Sequence, residues 1–238
     1  AQKQNIDPAQ ICSVSVMPCT AKKFECTRPE FADSGHRDVD ISITVVELAK
    51  MIRTAGIDFE NLEDCPFDSP FGLGSGAGVI FGSTGGVMEA ALRTVAEVVT
   101  GQPLPKLEFE AVRGLASVRE AELTLNGQTL RVAIVHGLAN VKPLLDDIRA
   151  GKSPYHFIEV MACEGGCIGG GGNEPKTMRK VRARQKAIYA VDTALPLRKS
   201  HENPYVQALY KEYLGAPLSE ASHKLLHTHY YSRRDLLR

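Results

Sequence analysis

The sequence has no net charge and no long hydrophobic run. Its 28 Lys and Arg residues are balanced by 28 Asp and Glu residues. A neutral chain offers no general attraction for nucleic acid or for an anionic membrane surface, so we expect neither as a partner. The least charged stretch, residues 71–88, contains seven glycines, and such a segment would not form a membrane-spanning helix.

The N-terminus lacks both a Met and the pattern of a leader peptide. No basic segment followed by an apolar one opens the chain, so nothing there indicates export, and we expect a cytoplasmic protein. The opening AQKQNIDPAQ is typical of the end of a helix that Pro8 breaks. We therefore expect a fragment, a processed subunit or one piece of a longer domain.

Cysteine is present in six copies, which is too few for a disulfide scaffold in a chain of 238 residues. The spacing of the cysteines favours metal or redox chemistry in a reducing compartment. For half of them the common role of a small buried hydrophobic residue is the better interpretation. These are Cys12, Cys26 and Cys65.

The first part of the chain predicts two strands and a helix. Residues 11–17 form a short β-branched run that predicts a buried strand, and residues 39–44 predict a second one. Thr44 and Glu47 have the spacing of a capping box, so a helix should begin there and end at Gly56.

The middle of the chain predicts a loop followed by a helix. Residues 66–83 are rich in Pro and Gly, which is typical of a loop. Ser83 or Thr84 is placed to cap the next helix, and Gly101 is placed to end it.

The second half predicts a hairpin, further strands and helices. Asn126-Gly127 lies between alternating apolar residues, which is a strong hairpin signal. A short helix should end at Gly151, residues 155–162 predict a buried strand, and residues 176–192 predict a helix with a basic face. That face would meet an acidic redox partner or simply solvent. Two short helices should finish the chain.

These elements predict an α/β fold with a mainly parallel sheet flanked by helices, one β-hairpin and a helical C-terminal tail. We assign residues 1–195 to one domain and residues 196–238 to a helical tail of the same domain.

The segment MACEGGCIGGGG, residues 161–172, carries the strongest chemical signal. Cys163 and Cys167 lie four positions apart and lead into four glycines, whose conformational entropy makes such a run costly to fold. Cys19 also follows a predicted strand, and sites in α/β sheets lie at the carboxyl ends of strands. Thiolates suit a soft metal centre. The residues alone therefore predict an iron–sulfur site at these three cysteines, although a 4Fe–4S cluster normally has four thiolate ligands.

A phosphate-binding loop is the rival interpretation of the glycines. The run lacks the Gly-Lys-Ser/Thr ending of such a loop, and residues 75–86 lack a clean dinucleotide fingerprint. The iron–sulfur interpretation is therefore favoured over nucleotide binding.

Several long segments resemble one enzyme family, the FeFe (iron-only) hydrogenases. Two of them resemble its second and third cluster-binding signatures, SVMPCTAKKFECTRPEF and FIEVMACEGGCIGGGG. Two more are also similar to the family, SGAGVIFGSTGGVMEAALRT and RKSHENPYVQALYKEYLG. The resemblance covers essentially the whole chain. It implies the C-terminal part of the catalytic domain of a large subunit that reversibly oxidises dihydrogen to protons and electrons.

The resemblance also implies a cofactor, the H-cluster. This is a 4Fe–4S cubane joined through one cysteine sulfur to a diiron unit that carries carbon monoxide, cyanide and a bridging dithiolate amine. Cys19, Cys163 and Cys167 would bind the cubane, and Cys167 would also bridge to the diiron unit.

Further roles follow from the same resemblance. Lys22 would donate a hydrogen bond to an iron-bound cyanide, and Glu25 would relay protons. On the residues alone, the alternative for these two is a pair of surface side chains joined by an ion pair. Met17 and Met161 would pack around the diiron unit. The pocket would also be lined by Phe81, Gly78 and Gly82.

Two departures from the family pattern lie beside the cysteines. Glu164 stands where the family has Pro, and Glu174 looks like an insertion after Asn173, which replaces a Gln. Each adds a negative charge if ionised. We hypothesise that they lower the reduction potential of the cluster.

The family's first signature, which supplies the fourth cubane ligand, has no counterpart in this sequence. We therefore expect a missing N-terminal segment or another subunit to carry that ligand and the electron-transfer clusters. The electron partner would be ferredoxin or an NAD(P)-linked redox subunit.

Two other functions remain open. The chain could be a Narf-like iron–sulfur assembly or regulatory protein, although the intact MPCTAKKFE argues against it. It could also be an incomplete structural lobe that needs a partner chain. Finally, His223, His227 and His229 have metal-ligand spacing, against which stands a terminal helix with solvated or core histidines.

Overall fold

The structure, a computed structural model, describes residues 1, 4–68, 72–174 and 177–234. Within these ranges the fold is mixed α/β, as predicted. The strands are β1 (Val14–Met17), β2 (Ile41–Thr44), β3 (Val118–Leu125), β4 (Gln128–His136) and β5 (Phe157–Met161). The helices are α1 (Ala21–Glu25), α2 (Val45–Thr54), α3 (Gly76–Ile80), α4 (Gly86–Thr100), α5 (Lys142–Arg149), α6 (Met178–Ala194), α7 (Pro204–Leu209) and α8 (Glu220–Leu226).

The described residues form two compact units. The first takes the residues up to Glu63 and those from Gln207 onward, and the second runs from Asp64 to Val206. The predicted division at residue 195 stays a prediction.

In the first unit, β1 and β2 pair in parallel, and α2 follows β2 directly. The predicted capping box is confirmed. The Glu47 N–H donates to Thr44 Oγ1 at 3.1 Å, and the Thr44 N–H donates to Glu47 Oε2 at 2.8 Å. Gly56 follows the helix with a φ of +68°, the left-handed conformation that glycine adopts at a helix end.

The prediction of a buried first strand is wrong. The strand is also shorter than predicted: a 3₁₀ turn covers Pro8–Gln10, and β1 begins at Val14. The side chains of Val14 and Val16 are 53% and 42% exposed. The physical reason is that β2 is the one strand that pairs with β1 in the described part of the chain, and a two-stranded sheet covers little of its own surface.

In the second unit, β3, β4 and β5 form a three-stranded sheet with β4 in the centre. The predicted hairpin is confirmed, since β3 and β4 are antiparallel and Asn126 and Gly127 connect them. Both turn residues have positive φ, +48° and +78°, which a two-residue I′ turn requires. β5 pairs with β4 in parallel.

Strand β5 is largely exposed, contrary to the prediction of a buried strand. Phe157 and Val160 are 43% and 47% exposed, whereas Glu159 in the middle of the strand is buried. β5 lies at an edge of the sheet as described. The buried position is occupied by Glu159 because its carboxylate accepts two hydrogen bonds from the start of α4.

Two clusters of the second unit's core lie on opposite faces of β4. Alternate residues of a strand point to opposite faces, so neighbouring β4 positions enter different clusters. One cluster consists of Met88, Leu92, Val112, Ala121, Val132 and Ile134. The other consists of Ala133, Val135, Val141 and Leu144.

The predicted loop over residues 66–83 contains a helix that the sequence pattern missed. Ser75 caps α3, since its Oγ accepts from the Gly78 N–H at 3.3 Å. Part of the loop, residues 69–71, lies outside the described residues. The prediction that Ser83 or Thr84 caps α4 is also wrong, because the N-cap is Gly85 with a φ of +87°. The predicted end at Gly101 is confirmed.

Helix α6 agrees with its prediction over most of its length. Thr177 caps it by accepting from the Lys180 N–H at 3.2 Å, and the predicted start at residue 176 lies outside the described residues. The two short helices predicted near the C-terminus are α7 and α8. Among the residues described, no helix has both the length and the apolar character needed to cross a bilayer.

A fully buried ion cluster joins α4 to α6. The Arg93 guanidinium donates to Asp192 Oδ1 and to Glu89 Oε1, each at 2.8 Å, and all three side chains are fully buried. Arg198 donates to Asp192 Oδ2 at 2.7 Å, and Arg113 donates to Glu89. Every buried charge in this cluster is therefore paired, as a buried charge must be to be tolerated.

Candidate functional site

The predicted site residues of the first unit lie together. Met17, Lys22 and Glu25 line one small cavity of about 150 Å³, together with Cys26 and Phe31. Cys19 is half-buried and lies between the end of β1 and the start of α1. The short helix α1 explains this grouping, because Lys22 and Glu25 are three positions apart and lie on one helix face.

Lys22 and Glu25 form an ion pair. The hydrogen bond to Glu25 raises the pKa of Lys22 above its ordinary value, and the nearby Cys19 acts in the same direction. Lys23 pairs elsewhere, with Glu47 at 2.8 Å. Lys22 is therefore a charged donor beside a cysteine, and the ion pair of the surface interpretation is also present.

In the second unit, Cys163 and Cys167 lie on a tight loop after β5. Gly165 and Gly166 have φ of +81° and +90°, and Gly166 has a ψ of −161°, a conformation that only glycine readily adopts. The Gly166 N–H donates to the Cys163 carbonyl at 3.0 Å. A 3₁₀ turn over Cys167–Gly169 follows. Cys163 is half-buried and Cys167 is exposed.

Protein backbone approaches this cysteine loop closely. A Cβ on Gly166 would lie 2.6 Å from the Thr84 nitrogen and 3.0 Å from the Gly82 carbonyl oxygen. The Thr84 N–H donates to the Gly165 carbonyl at 3.0 Å, and the Ile168 N–H donates to the Gly82 carbonyl at 2.9 Å. Gly166 is thus required because the loop packs directly on the backbone of residues 82–84, whereas a Cβ on Gly165 would lie 2.6 Å from Cγ1 of Val181.

The remaining predicted pocket residues also lie in the second unit. Gly82 contacts the cysteine loop through Ile168, whereas Gly78 and the Phe81 side chain are exposed. Met161 is half-buried at the end of β5, and its carbonyl accepts from the Gly137 N–H at 2.9 Å. The structure therefore brings Gly82 and Met161 to the cysteine loop, and it places Gly78 and Phe81 on the surface of the same unit.

The sequence analysis missed a histidine that supports the loop. His136 is buried at the end of β4, and its Nδ1 accepts from the Gly165 N–H at 3.2 Å. Its Nε2 lies 3.3 Å from the Leu115 carbonyl oxygen, so the neutral tautomer with the proton on Nε2 satisfies both partners. Burial lowers the pKa of His136, which keeps the ring neutral.

A buried carboxylate supports the segment on which the loop packs. Glu159 accepts from the Gly85 N–H at 2.6 Å and from the Met88 N–H at 2.8 Å. Burial raises the pKa of Glu159. Arg119 donates from Nη2 to Thr84 Oγ1 at 3.0 Å. The signal for Glu159 was present, since it is the single charged residue in the apolar run FIEVM.

Each unit supplies, by itself, donors of the kind that an iron–sulfur centre uses. All six cysteines lie in the described ranges and carry thiols rather than disulfides. Cys163 and Cys167 lie on one loop held by the backbone of residues 82–84, and Cys19 lies near an ammonium group. Thiolates on such a supported loop are suitable ligands for a soft metal cluster.

The two acidic departures differ in their surroundings. Glu164 is exposed, and a Cβ on Gly137 would lie 3.8 Å from its Cγ. Glu174 is also exposed and pairs with Lys180 at 2.9 Å. Part of the negative charge of Glu174 is therefore offset.

Comparison with known proteins gives the family. The family described as "Iron only hydrogenase large subunit, C-terminal domain" matches residues 1–171, and "Iron hydrogenase small subunit" matches residues 178–233. The chain belongs to the iron-only hydrogenase family. It corresponds to the C-terminal domain of the large subunit followed by a sequence of small-subunit type.

The "NADP-reducing hydrogenase subunit HndD" of Solidesulfovibrio fructosivorans is 52% identical over 225 residues, which are 94% of this chain and 38% of that protein. A solved structure of the [FeFe]-hydrogenase HydA1 from Chlamydomonas reinhardtii is 42% identical with a TM-score of 0.78, and the match covers 97% of this chain and 65% of that one. The predicted fold class is thereby confirmed.

A relative of a different kind is also found. "Cytosolic iron-sulfur assembly component 3" of Pongo abelii is 33% identical over 241 residues, which are 98% of this chain and 50% of that protein. The chain thus spans half or less of the length of these two relatives. Family membership alone does not separate a hydrogenase from an assembly protein.

Proposed function

We propose that this chain is the C-terminal part of the catalytic domain of an FeFe hydrogenase and contributes to the reversible oxidation of dihydrogen to protons and electrons. The observation that carries the proposal is the small cavity that Met17, Lys22 and Glu25 line together, formed by residues on both sides of Cys19 in the chain. A soft apolar wall, an ammonium and a carboxylate beside a thiol are the groups that bind an anion and hold a proton.

The cysteines would hold the cofactor. Cys19, Cys163 and Cys167 would hold the 4Fe–4S part of the H-cluster, and Cys167 would also help to hold its diiron part. When bound, the H-cluster supplies the chemistry that interconverts dihydrogen with protons and electrons. His136 and the backbone of residues 82–84 would keep the Cys163–Cys167 loop in position.

The other residues would bind, orient and exclude water. The Lys22 ammonium would donate to an iron-bound cyanide, and Glu25, now paired with Lys22, would hold and release a proton. Met17 and Met161 would provide apolar walls that keep water out. Phe81, Gly78 and Gly82 would line the same pocket.

The proposed partners follow from the length of the relatives. Because the chain spans 38% of the HndD relative, an additional segment or subunit would supply the fourth cubane ligand and the electron-transfer clusters. Electrons would pass to ferredoxin or to an NAD(P)-linked subunit. A cytoplasmic location also stays a prediction.

An assembly function is the second candidate. It is favoured by the similarity to an iron–sulfur assembly component, which extends over 98% of the present chain. The identity to that relative is 33%, against 52% to the hydrogenase subunit. A third possibility is a structural lobe that needs a partner chain before it binds iron. The hydrogenase proposal is preferred because the identity to the hydrogenase subunit is higher and because Met17, Lys22 and Glu25 line one cavity.

Infrared spectroscopy and an iron assay test these candidates on chain purified anaerobically with whatever co-purifies. We expect iron together with carbonyl and cyanide stretches. In Lys22→Gln the cyanide bands should shift, whereas Lys23→Gln, which alters the neighbouring pair with Glu47, should leave them in place. Iron without these bands would favour assembly, and the absence of both would favour the incomplete lobe.

Charge beside the cluster gives a separate test. We propose that Glu164 lowers the reduction potential, because a carboxylate disfavours the more negative, reduced state. Glu164→Pro should therefore raise the potential in a redox titration. Glu174→Gln should have little effect because Lys180 offsets its charge. An unchanged potential in Glu164→Pro would remove the proposal for that residue.

A further inference from the structure

Histidines at the end of α8 form a close pair that the proposed function does not use. The Nδ1 atoms of His223 and His227 lie 2.9 Å apart, and their rings meet edge to face at 71°. The spacing of four residues places both imidazoles on one side of the helix end. Both side chains are exposed, so an ion from solvent can reach them.

The distance between the two nitrogens agrees with a shared metal ion. Zinc binds imidazole nitrogen at about 2.0–2.1 Å, so two imidazole ligands of one zinc ion lie about 3 Å apart or slightly more. Without metal, one neutral ring donates its Nδ1 proton to the other. A metal ion would replace that single shared proton without a large movement of either ring.

The chain beyond α8 places a third histidine at the same cavity, although its ring nitrogens do not lie within 4.8 Å of both paired nitrogens, so its side chain would have to approach when an ion binds. His227 has extended backbone, with φ −116° and ψ 146°. Side chains two residues apart on an extended chain point to the same side, which explains why His229 lines the same cavity as His223 and His227. This cavity has a volume of about 610 Å³ and is also lined by acidic residues.

The acidic residues suit a cation. Asp33 and Glu220 line the cavity, and their two carboxylates outnumber the ammonium of Lys224, which also lines it. Glu30 also lines it, but its carboxylate is already bound by Arg28 and Arg233. Imidazole with carboxylate is a ligand set for borderline divalent transition metals, and zinc is the most common of these in proteins.

Three possible metal ligands in the second unit are not proposed as a metal site. Glu97, His201 and Glu202 lie close enough together to share an ion. Lys199, however, donates to Glu97 at 2.8 Å and contacts Glu202 at 2.5 Å. Its ammonium already neutralises these carboxylates, and a second cation beside it would be repelled.

We propose that His223, His227 and His229 bind one divalent transition-metal ion of the zinc type. The ion links the end of α8 to the segment that follows it. The site lies within the first unit and does not depend on the proposed hydrogenase function.

The test measures zinc bound by the full chain after chelation and dialysis into buffers of known free Zn²⁺. Cysteine thiolates also bind zinc, so the informative quantity is the difference between wild type and a His223→Gln/His227→Gln variant. We expect the wild-type chain to bind one zinc ion more than the double variant does. His229→Gln should lower the affinity for this zinc ion by at least about tenfold. Even the loss of a residue that only hydrogen-bonds to a metal ligand lowers metal affinity by that factor.

His36→Gln is the matched control, because it removes an exposed histidine of the same unit outside this cavity. It should bind as much zinc as wild type. Circular dichroism of the double variant without zinc would establish that it folds. Equal zinc stoichiometry in wild type and the double variant would overturn the proposal and leave the pair as a hydrogen bond between two imidazoles.

Discussion

The Nδ1 atom of His136 accepts a hydrogen bond from the Gly165 N–H at 3.2 Å, which joins the end of β4 to the loop between Cys163 and Cys167. Gly165 and His136 are both buried, so neither partner can exchange this bond for one with water. The Gly165 carbonyl is fixed at the same time by the Thr84 N–H. The peptide groups of the loop are therefore held from two sides.

Replacement of His136 should destabilise this loop. In His136→Leu the buried Gly165 N–H loses its acceptor, which costs about 1–3 kcal/mol in the free energy of unfolding. His136→Asn keeps an oxygen acceptor near the position of Nδ1 and should recover part of that loss. Urea unfolding measures the free energy, and hydrogen exchange of the Gly165 amide reports on the bond itself. Unchanged exchange at Gly165 in the Leu variant would contradict the assignment.

Gly166→Ala should be far more damaging than a similar change elsewhere. The added Cβ would lie 2.6 Å from the Thr84 nitrogen, and the φ of +90° with ψ of −161° belongs to a region that alanine avoids. We expect the variant to unfold more readily and to lose iron binding by the chain.

The matched control for Gly166 is Gly127→Ala in the hairpin turn. Gly127 has a φ of +78°, but nothing lies within 4 Å of its added Cβ. This change introduces backbone strain alone, about 1–2 kcal/mol. Equal losses of stability in the two variants would mean that the contact with residues 82–84 does not matter.

Local signals in the sequence were sufficient for much of the fold. The capping box of Thr44 and Glu47 and the turn at Asn126 and Gly127 depend on residues within three positions of one another, so the pattern contains all that is needed. The N-cap of α4 could not be predicted in this way. The N-cap residue Gly85 donates its N–H to the carboxylate of Glu159, which is 74 residues away along the chain.

The candidate site also has features that the sequence predicts and features that it does not. The thiols could be recognised from their spacing and from family signatures. The support from His136 could not, because it is 29 residues from Gly165 and the contact depends on the pairing of β4 with β5. Burial of β1 was overestimated because an apolar pattern does not reveal how many neighbouring strands will cover it.

Arg93 should be required for the stability of the second unit. Arg93→Met removes the buried cation that Glu89 and Asp192 share. The two carboxylates keep the partly exposed Arg113 and Arg198 as partners. The loss should therefore be at or below about 3–5 kcal/mol, which is the cost of breaking a buried ion pair completely. Arg131→Met is the matched control, because Arg131 and its partner Glu122 are exposed and such pairs contribute about 0–1 kcal/mol. Urea unfolding of both variants measures the difference. Similar losses would show that the buried cluster is no more important than a surface pair.

Glu97 should make the stability of the second unit depend on pH under acidic conditions. The hydrogen bond from Lys199, aided by the Leu104 N–H and by His201, lowers the pKa of Glu97 to about 2 from an ordinary value of 4.5. Because the folded-state pKa lies below the unfolded one, the unfolded chain takes up the proton first as pH falls. The stabilisation is therefore complete above about pH 4.5 and is lost as pH falls towards about 2.

A comparison of wild type with Glu97→Gln isolates this contribution from that of the other carboxylates. The variant should be less stable than wild type at neutral pH, and the difference in the free energy of unfolding should shrink through that acidic window. Glu122→Gln, which alters an exposed ion pair, should differ from wild type by at most about 1 kcal/mol at neutral pH. A difference between wild type and Glu97→Gln that stays constant with pH would mean that Glu97 acts through packing, since only an ionised carboxylate responds to protonation.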